Sequence, residues 1–358
     1  MLVLTKRVVE VVGSGGGRSD SAHKLLALVA THPPSTPSSN HPADDPDGPH
    51  SLGRFDDVLV YLHGFPDMAV HPLRPTFASR LPRKIAESWL GGVAPAPRRR
   101  AVVAFNFGGV PGSDGQLRFS DKTIGKELKD AVAVCEYVRR NLLRVSTTED
   151  ADLRSGDTNS AKLHVVGLST GAIVASLLRD KRVADTIAVI AGLLNIQRGV
   201  AYDFSPQQLA QLARDGACWK EFYLPEGSPL PRGVALSLNG ETPAGLTDTD
   251  SEKREGDSGS EGMAPRKLFI RLGRAYVDEC RSGELDIARA VAGSPPLPPF
   301  LVIHGDADVN VPVHDGEELF AAANDPKRFV RIPNANHLLS NAKHLKKALN
   351  AIAAHTAS

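Results

Sequence analysis

The chain has 358 residues, 41% of them hydrophobic, enough for a sizeable core and against global disorder. Its 42 Lys and Arg against 41 Asp and Glu leave a net charge of +1, which removes the electrostatic signature of a nucleic-acid binder. The 32 glycines and 26 prolines follow no collagen-like period and point to long loops.

In chain order, residues 2–11 and 23–30 alternate or run apolar, as the two strands of a hairpin do, with Gly15, Gly16 and Gly17 in the turn. The start of the chain, with Lys6, Arg7 and Glu10 breaking its apolar runs, lacks the continuous core of a signal peptide. Residues 31–54 are rich in Pro, Ser and Asp and read as a disordered insertion, since such a composition buries too little to offset the entropy of ordering. His41 and His50 stand there among Asp44, Asp45 and Asp47; the composition of a solvated loop accounts for them without a metal. Residues 57–62 are a short apolar run of the kind found in buried parallel strands. A helix around 76–90 and a strand at 101–106 follow, separated by a loop at 91–100. Residues 121–143 space Ile124, Leu128, Val132, Cys135, Val138 and Leu142 three or four apart, the face of a helix.

After a polar loop at 145–161 come a strand at 162–166, a helix at 170–179 and a strand at 186–191. The interval 193–298 then breaks the alternation, with helix-like pieces at 205–214, 266–280 and 284–292 around a disordered loop at 241–265. Alternation resumes with strands at 299–303 and 328–332 and helices at 314–324 and 341–354. This order predicts an α/β fold with a mostly parallel open sheet, helices on both faces, and a core made of 1–192 and 299–358. The excursion at 193–298 reads as a helical cap over the C-terminal edge of the sheet, where ligands bind in such folds. Cys135, Cys218 and Cys280 are odd in number and form no CxxC pair, which fits free thiols in a reducing compartment. No stretch approaches the roughly 20 apolar residues of a membrane span. A soluble cytoplasmic protein is expected.

Four segments carry chemistry. Gly167-Leu168-Ser169-Thr170-Gly171 joins an apolar strand to a helix, the setting of a nucleophile elbow. A strand-to-helix turn with a merely capping serine would give the same letters. Tyr61-Leu62-His63-Gly64-Phe65 follows a buried strand, and the N–H of Phe65 with that of Thr170 would make a two-donor oxyanion hole. His63 is expected to shape that loop and transfer no proton. His304-Gly305-Asp306-Ala307-Asp308 follows the strand at 299–303, where a buried carboxylate can orient an imidazole; an Asp-rich Asx turn is the alternative. Asn336-His337 follows the last strand. Ser169, Asp308 and His337 stand in the order nucleophile, acid, base, each after a predicted strand.

On these stretches, with FNFGGVPGSDG at 105–115 and the segment 192–216, the chain resembles the α/β-hydrolases and, within them, the cinnamoyl/feruloyl-esterase-like branch and related uncharacterised plant hydrolases. The resemblance spans about 57–350 apart from the loops. It implies a serine hydrolase of small carboxylic esters working through an acyl-enzyme, with Ser169, Asp308 and His337 catalytic, Phe65 and Thr170 holding the oxyanion, and no metal or organic cofactor. Peptidases, amidases and thioesterases share the same triad, and a non-catalytic ligand-binding hydrolase-like protein shares the fold. Two positions depart from the branch: Leu168, where a His or similar polar residue usually precedes the serine, and Pro111 in the glycine-rich loop 108–113.

Overall fold

The computed structural model describes residues 2–11, 23–32, 54–92, 98–113, 118–144, 160–224 and 266–357. The turn with Gly15–Gly17, the histidines His41 and His50, and the loop 241–265 lie outside these residues.

The N-terminal strands β1 (Val3–Val11) and β2 (His23–Thr31) pair antiparallel, Val3 opposite Thr31, and form the hairpin that their alternation predicts. Then come β3 (Asp57–Leu62), α1 (Arg80–Gly91), β4 (Arg100–Phe105), a 3-10 turn (Phe119–Asp121), α2 (Ile124–Asn141), β5 (Lys162–Leu168), α3 (Thr170–Leu177) and β6 (Thr186–Ile190). The excursion holds α4 (Ile196–Asp203), α5 (Pro206–Asp215), β7 (Ala217–Leu224), β8 (Arg266–Gly273), α6 (Arg274–Ser282) and α7 (Ile287–Val291). The chain closes with β9 (Phe300–Gly305), α8 (Val313–Ala322), β10 (Lys327–Ile332) and α9 (Ala342–Thr356).

Eight strands form one sheet in the order β1-β2-β4-β3-β5-β6-β9-β10, parallel from β4 to β10. β3, β6 and β9 are buried along their whole length, which is why they read as unbroken apolar runs rather than alternations. Successive residues still serve opposite faces. Val58, Val60 and Leu62 join the layer built on α2 and α3, whereas Leu59 and Tyr61 join the layer built on α1 and α9. The Trp89 indole N–H donates to Thr356 Oγ1 at 2.8 Å and ties α1 to α9.

One element differs from its expected type. Residues 266–273, read as the start of a helix, are strand β8, paired antiparallel with β7 from Ala217↔Gly273 to Leu224↔Arg266. The excursion is therefore helices around a two-stranded ribbon rather than helices alone. Its apolar side chains, among them Phe204, Phe222, Ile270 and Tyr276, continue the core layer of α2 and α3. Arg198 of α4 donates from Nε to Asp315 Oδ1 of α8 at 2.9 Å, and Tyr202 donates to Asp315 Oδ2 at 2.9 Å. The buried Arg179 donates to the carbonyls of Val291, Pro298 and Asn324 where the chain re-enters the sheet. All three cysteines are free and buried. Among the described residues no helix is long and apolar enough to cross a membrane.

Two buried histidines make folding sensitive to acid. Burial lowers His63 to about 3 and His355 to about 4, from 6.5. Both are neutral in the fold, but in the unfolded chain they bind protons near 6.5. Their contribution is complete above that pH and is lost as pH falls toward 4, because there the unfolded chain binds more protons. Thermal melting should be level from about pH 7 to 8 and fall steadily from about 6.5 to 4.5. A melting temperature constant across that lower range would contradict the neutral assignment.

Candidate active site

The parallel strands end together. Leu62 pairs with Gly167, Leu168 with Ile190, Ile190 with Ile303, and Gly305 with Ile332. The loops after β3, β5, β9 and β10, which hold Phe65, Ser169, Asp308 and His337, therefore leave from one edge of the sheet.

Ser169 sits between β5 and α3 with φ 55° and ψ −118°, backbone angles that non-glycine residues rarely adopt. Its side chain makes no capping bond to the helix, so the capping-serine alternative fails and the hydroxyl is not spent on α3. The turn is possible because its flanking glycines let backbone meet backbone. A Cβ on Gly167 would lie 2.1 Å from the Gly171 carbonyl oxygen, and one on Gly171 would lie 2.3 Å from that of Leu62. Gly171→Ala should destabilise the protein by about 1–3 kcal/mol, the usual cost of forcing atoms into packed space. Thermal melts would show this, and a wild-type melting temperature would mean that β3 and α3 can part cheaply. Leu168, the departure before the serine, is buried in the layer of α1 and α9 and packs the elbow from behind.

The loop after β3 lies against the elbow. A Cβ on Gly64 would be 3.2 Å from Ser169 Cβ. The Phe107 N–H donates to His63 Nε2 at 3.2 Å, so the ring proton is on Nδ1 and donates to the Gly64 carbonyl at 2.8 Å. With that carbonyl held, planarity turns the Phe65 N–H the opposite way. Neither this N–H nor that of Thr170, the first residue of α3, has an acceptor among the described residues. His63 is buried, neutral and engaged at both nitrogens, a loop-shaping residue as expected. In the glycine-rich loop the Pro111 carbonyl accepts from Asn106 Nδ2 at 2.9 Å, and Gly109 and Gly112 take φ of 79° and 90°.

Asp308 and His337 meet across the next two loops. His337 Nδ1 and Asp308 Oδ2 are 2.8 Å apart, with the carboxylate fully buried and the imidazole 12% exposed. Asp308 Oδ1 accepts from the backbone N–H groups of Asn310 and Val311, both at 2.9 Å. The Asx turn and the imidazole partner thus coexist on one carboxylate. Burial alone would raise the Asp308 pKa, but His337 and the two N–H groups outweigh it and hold the acid below its ordinary value. Asp306 is exposed and accepts from the Asn334 N–H at 2.6 Å, so it braces the turn. The two loops are stitched further by Asp306 N–H to Ile332 O and Ala307 N–H to Ala335 O.

Sequence reading left one contributor here without a role. His304 lies wholly buried under the acid loop, with Nε2 2.9 Å from the Val311 carbonyl and 3.7 Å from Asp308 Oδ2. Burial lowers its pKa, so it is neutral and donates from Nε2 to the Val311 carbonyl, bracing the turn that holds Asp308. The His-Gly-Asp-Ala-Asp run carried the signal. Beside the elbow, the rings of Phe119 and Tyr276 lie 5.6 and 5.4 Å from that of Phe65 and nearly parallel to it. No cluster of three or more His, Cys, Asp or Glu among the described residues could hold a metal ion.

No family model matches the chain. A 67-residue stretch is 39% identical to the uncharacterized protein YfhR of Escherichia coli K12, covering 18% of this chain and 22% of the relative. The match thus spans about a fifth of that relative's length. Solved structures align over nearly the whole chain. The α/β hydrolase GrgF of Penicillium sp. sh18 aligns at TM-score 0.56 and 15% identity, covering 99% of this chain and 100% of that one. A putative hydrolase of Agrobacterium vitis S4 aligns at 0.55 and 16%, covering 99% of both chains. An esterase of Pyrococcus furiosus aligns at 0.53 and 13%, covering 98% of this chain and 91% of that one.

Proposed function

We propose that this chain, an α/β-hydrolase by fold, is a serine hydrolase of carboxylic esters. The observation that carries the reading is the pairing of a serine on a strained elbow with a buried Asp308–His337 hydrogen bond at the same sheet edge. In this reading His337 Nε2 takes the proton from Ser169 Oγ as it attacks the ester carbonyl. Asp308 keeps the other proton of the ring on Nδ1 and stabilises the imidazolium. The Phe65 and Thr170 N–H groups receive the oxyanion of the tetrahedral intermediate. The alcohol leaves with the proton held by His337, and water activated by the same ring releases the acid from Ser169.

Residues 193–298 serve as the cap over this site, on a core formed by 1–192 and 299–358. The resemblance to cinnamoyl and feruloyl esterases makes esters with an aromatic acyl group the first substrates to test. The deciding experiment is treatment with a fluorophosphonate probe followed by peptide mapping. The serine-hydrolase reading expects one adduct, on Ser169, and loss of nitrophenyl-ester turnover in step with labelling. An unlabelled Ser169 in folded protein would leave the ligand-binding alternative. A panel of feruloyl, nitrophenyl, thioester and anilide substrates then sorts esterase from thioesterase and amidase.

A further inference from the structure

The excursion reaches Phe65, in the loop against the elbow, through the ring of Tyr276. Tyr276 stands in the first turn of α6 and is 2% exposed. Its ring lies 5.4 Å from that of Phe65 at an interplanar angle of 27°, and Phe65 has Phe119 at 5.6 Å and 26°. α6 is itself held firmly: the Gly125 N–H at the start of α2 donates to Glu279 Oε2 at 3.0 Å, and a Cβ on Gly273 would lie 2.3 Å from the Ser120 carbonyl oxygen. Phe204, also from the excursion, backs the tyrosine ring at 6.0 Å.

Phe65 and Thr170 are the two residues whose N–H groups would receive the oxyanion. Such donors act only when held to within about half an ångström of their working geometry. The Phe65 peptide is fixed from below through His63 and Gly64, and its side chain is fixed from above by Tyr276. We propose that Tyr276 is a positioning residue for the oxyanion hole, so that the excursion sets the rate of acyl transfer and not only which esters can enter. This rests on the serine-hydrolase reading.

The test uses the full chain, p-nitrophenyl acetate, the rate of Ser169 modification by a fluorophosphonate, and binding of a trifluoromethyl ketone that mimics the tetrahedral oxyanion. Tyr276→Phe keeps the ring stack, and its kcat should stay within about twofold of wild type. Tyr276→Leu loses the stack and should lower kcat about 100-fold, the scale of a lost oxyanion donor. In Tyr276→Leu, KM should stay within about twofold, and ketone affinity and modification rate should fall with kcat. A merely structural role would lower the melting temperature without this pattern. Tyr276→Met, which fills much of the same space with no ring to stack, should lose kcat as Tyr276→Leu does. It decides the matter if Tyr276→Leu does not fold. Wild-type kcat and ketone affinity in folded Tyr276→Leu or Tyr276→Met, or a loss confined to KM, would overturn the role of Tyr276. Turnover or labelling that persists in a Ser169→Ala control would instead overturn the underlying serine reading.

Discussion

Ser169→Ala should lower ester turnover by about 10⁴- to 10⁶-fold, the scale seen when the nucleophile of a triad is removed. The reason is the position of the hydroxyl. It caps no helix and contributes no bond within α3, so the fold does not depend on it. The serine backbone, by contrast, is used: its N–H donates to the Ile190 carbonyl at 3.0 Å, and its carbonyl accepts from Ala172 and Ile173. Alanine keeps those bonds, although it must adopt the same positive φ. Stability should therefore change by about 1 kcal/mol or less, measured by thermal or denaturant melts beside the rate assay. Turnover that survives in the folded variant would show that the hydrolysis does not pass through Ser169.

Asp308→Asn should cost about 10⁴ in kcat, since an amide at that place no longer enforces the working tautomer of His337. Asp306→Asn should change the rate by only about twofold, as exposed substitutions do, because an asparagine oxygen can still accept from the Asn334 N–H. The contrast is sharp because the two residues are neighbours in one loop with opposite surroundings. Asp308 is buried against the imidazole and two backbone donors, and Asp306 faces solvent. Steady-state rates on a nitrophenyl ester would measure both, and a larger loss at Asp306 would move the acid role to that residue.

Much of this arrangement is legible in the sequence because it lies at the ends of buried strands. An apolar run of five or six residues followed by Gly-x-Ser-x-Gly, His-Gly-Phe or His-Gly-Asp announces both the strand and the loop that leaves it. The strand β3 coincides with the apolar run 57–62, and the turn after β5 carries the backbone strain that its glycines imply. The β7–β8 ribbon is hidden for two reasons. Its strands are separated by residues 225–265, so no short turn marks a hairpin. The inward face of β7 also includes Lys220 between Cys218 and Phe222, which breaks the apolar alternation. That lysine is buried with its ammonium group 4.3 Å from the centre of the Phe204 ring, a placement that only the tertiary neighbours make favourable. Tyr276 is equally silent, since nothing in a helical run of mixed polarity distinguishes a tyrosine that stacks on Phe65 from one that fills a core.

The order of the strands also divides the site into two halves that are joined by one long-range pairing. Asp308 and His337 belong to a short contiguous stretch, β9 through the loop after β10, whose pairing is local. Ser169 and Phe65 belong to the stretch that ends at β6. The halves join only when β9 docks beside β6, which closes residues 191–299 into a loop. That closure costs entropy that grows slowly with length but must be met before the β6–β9 hydrogen bonds repay it. In refolding, the acid–base pair should therefore form with early, local structure, and the nucleophile should come into register with it later, so that recovery of activity lags the appearance of the sheet.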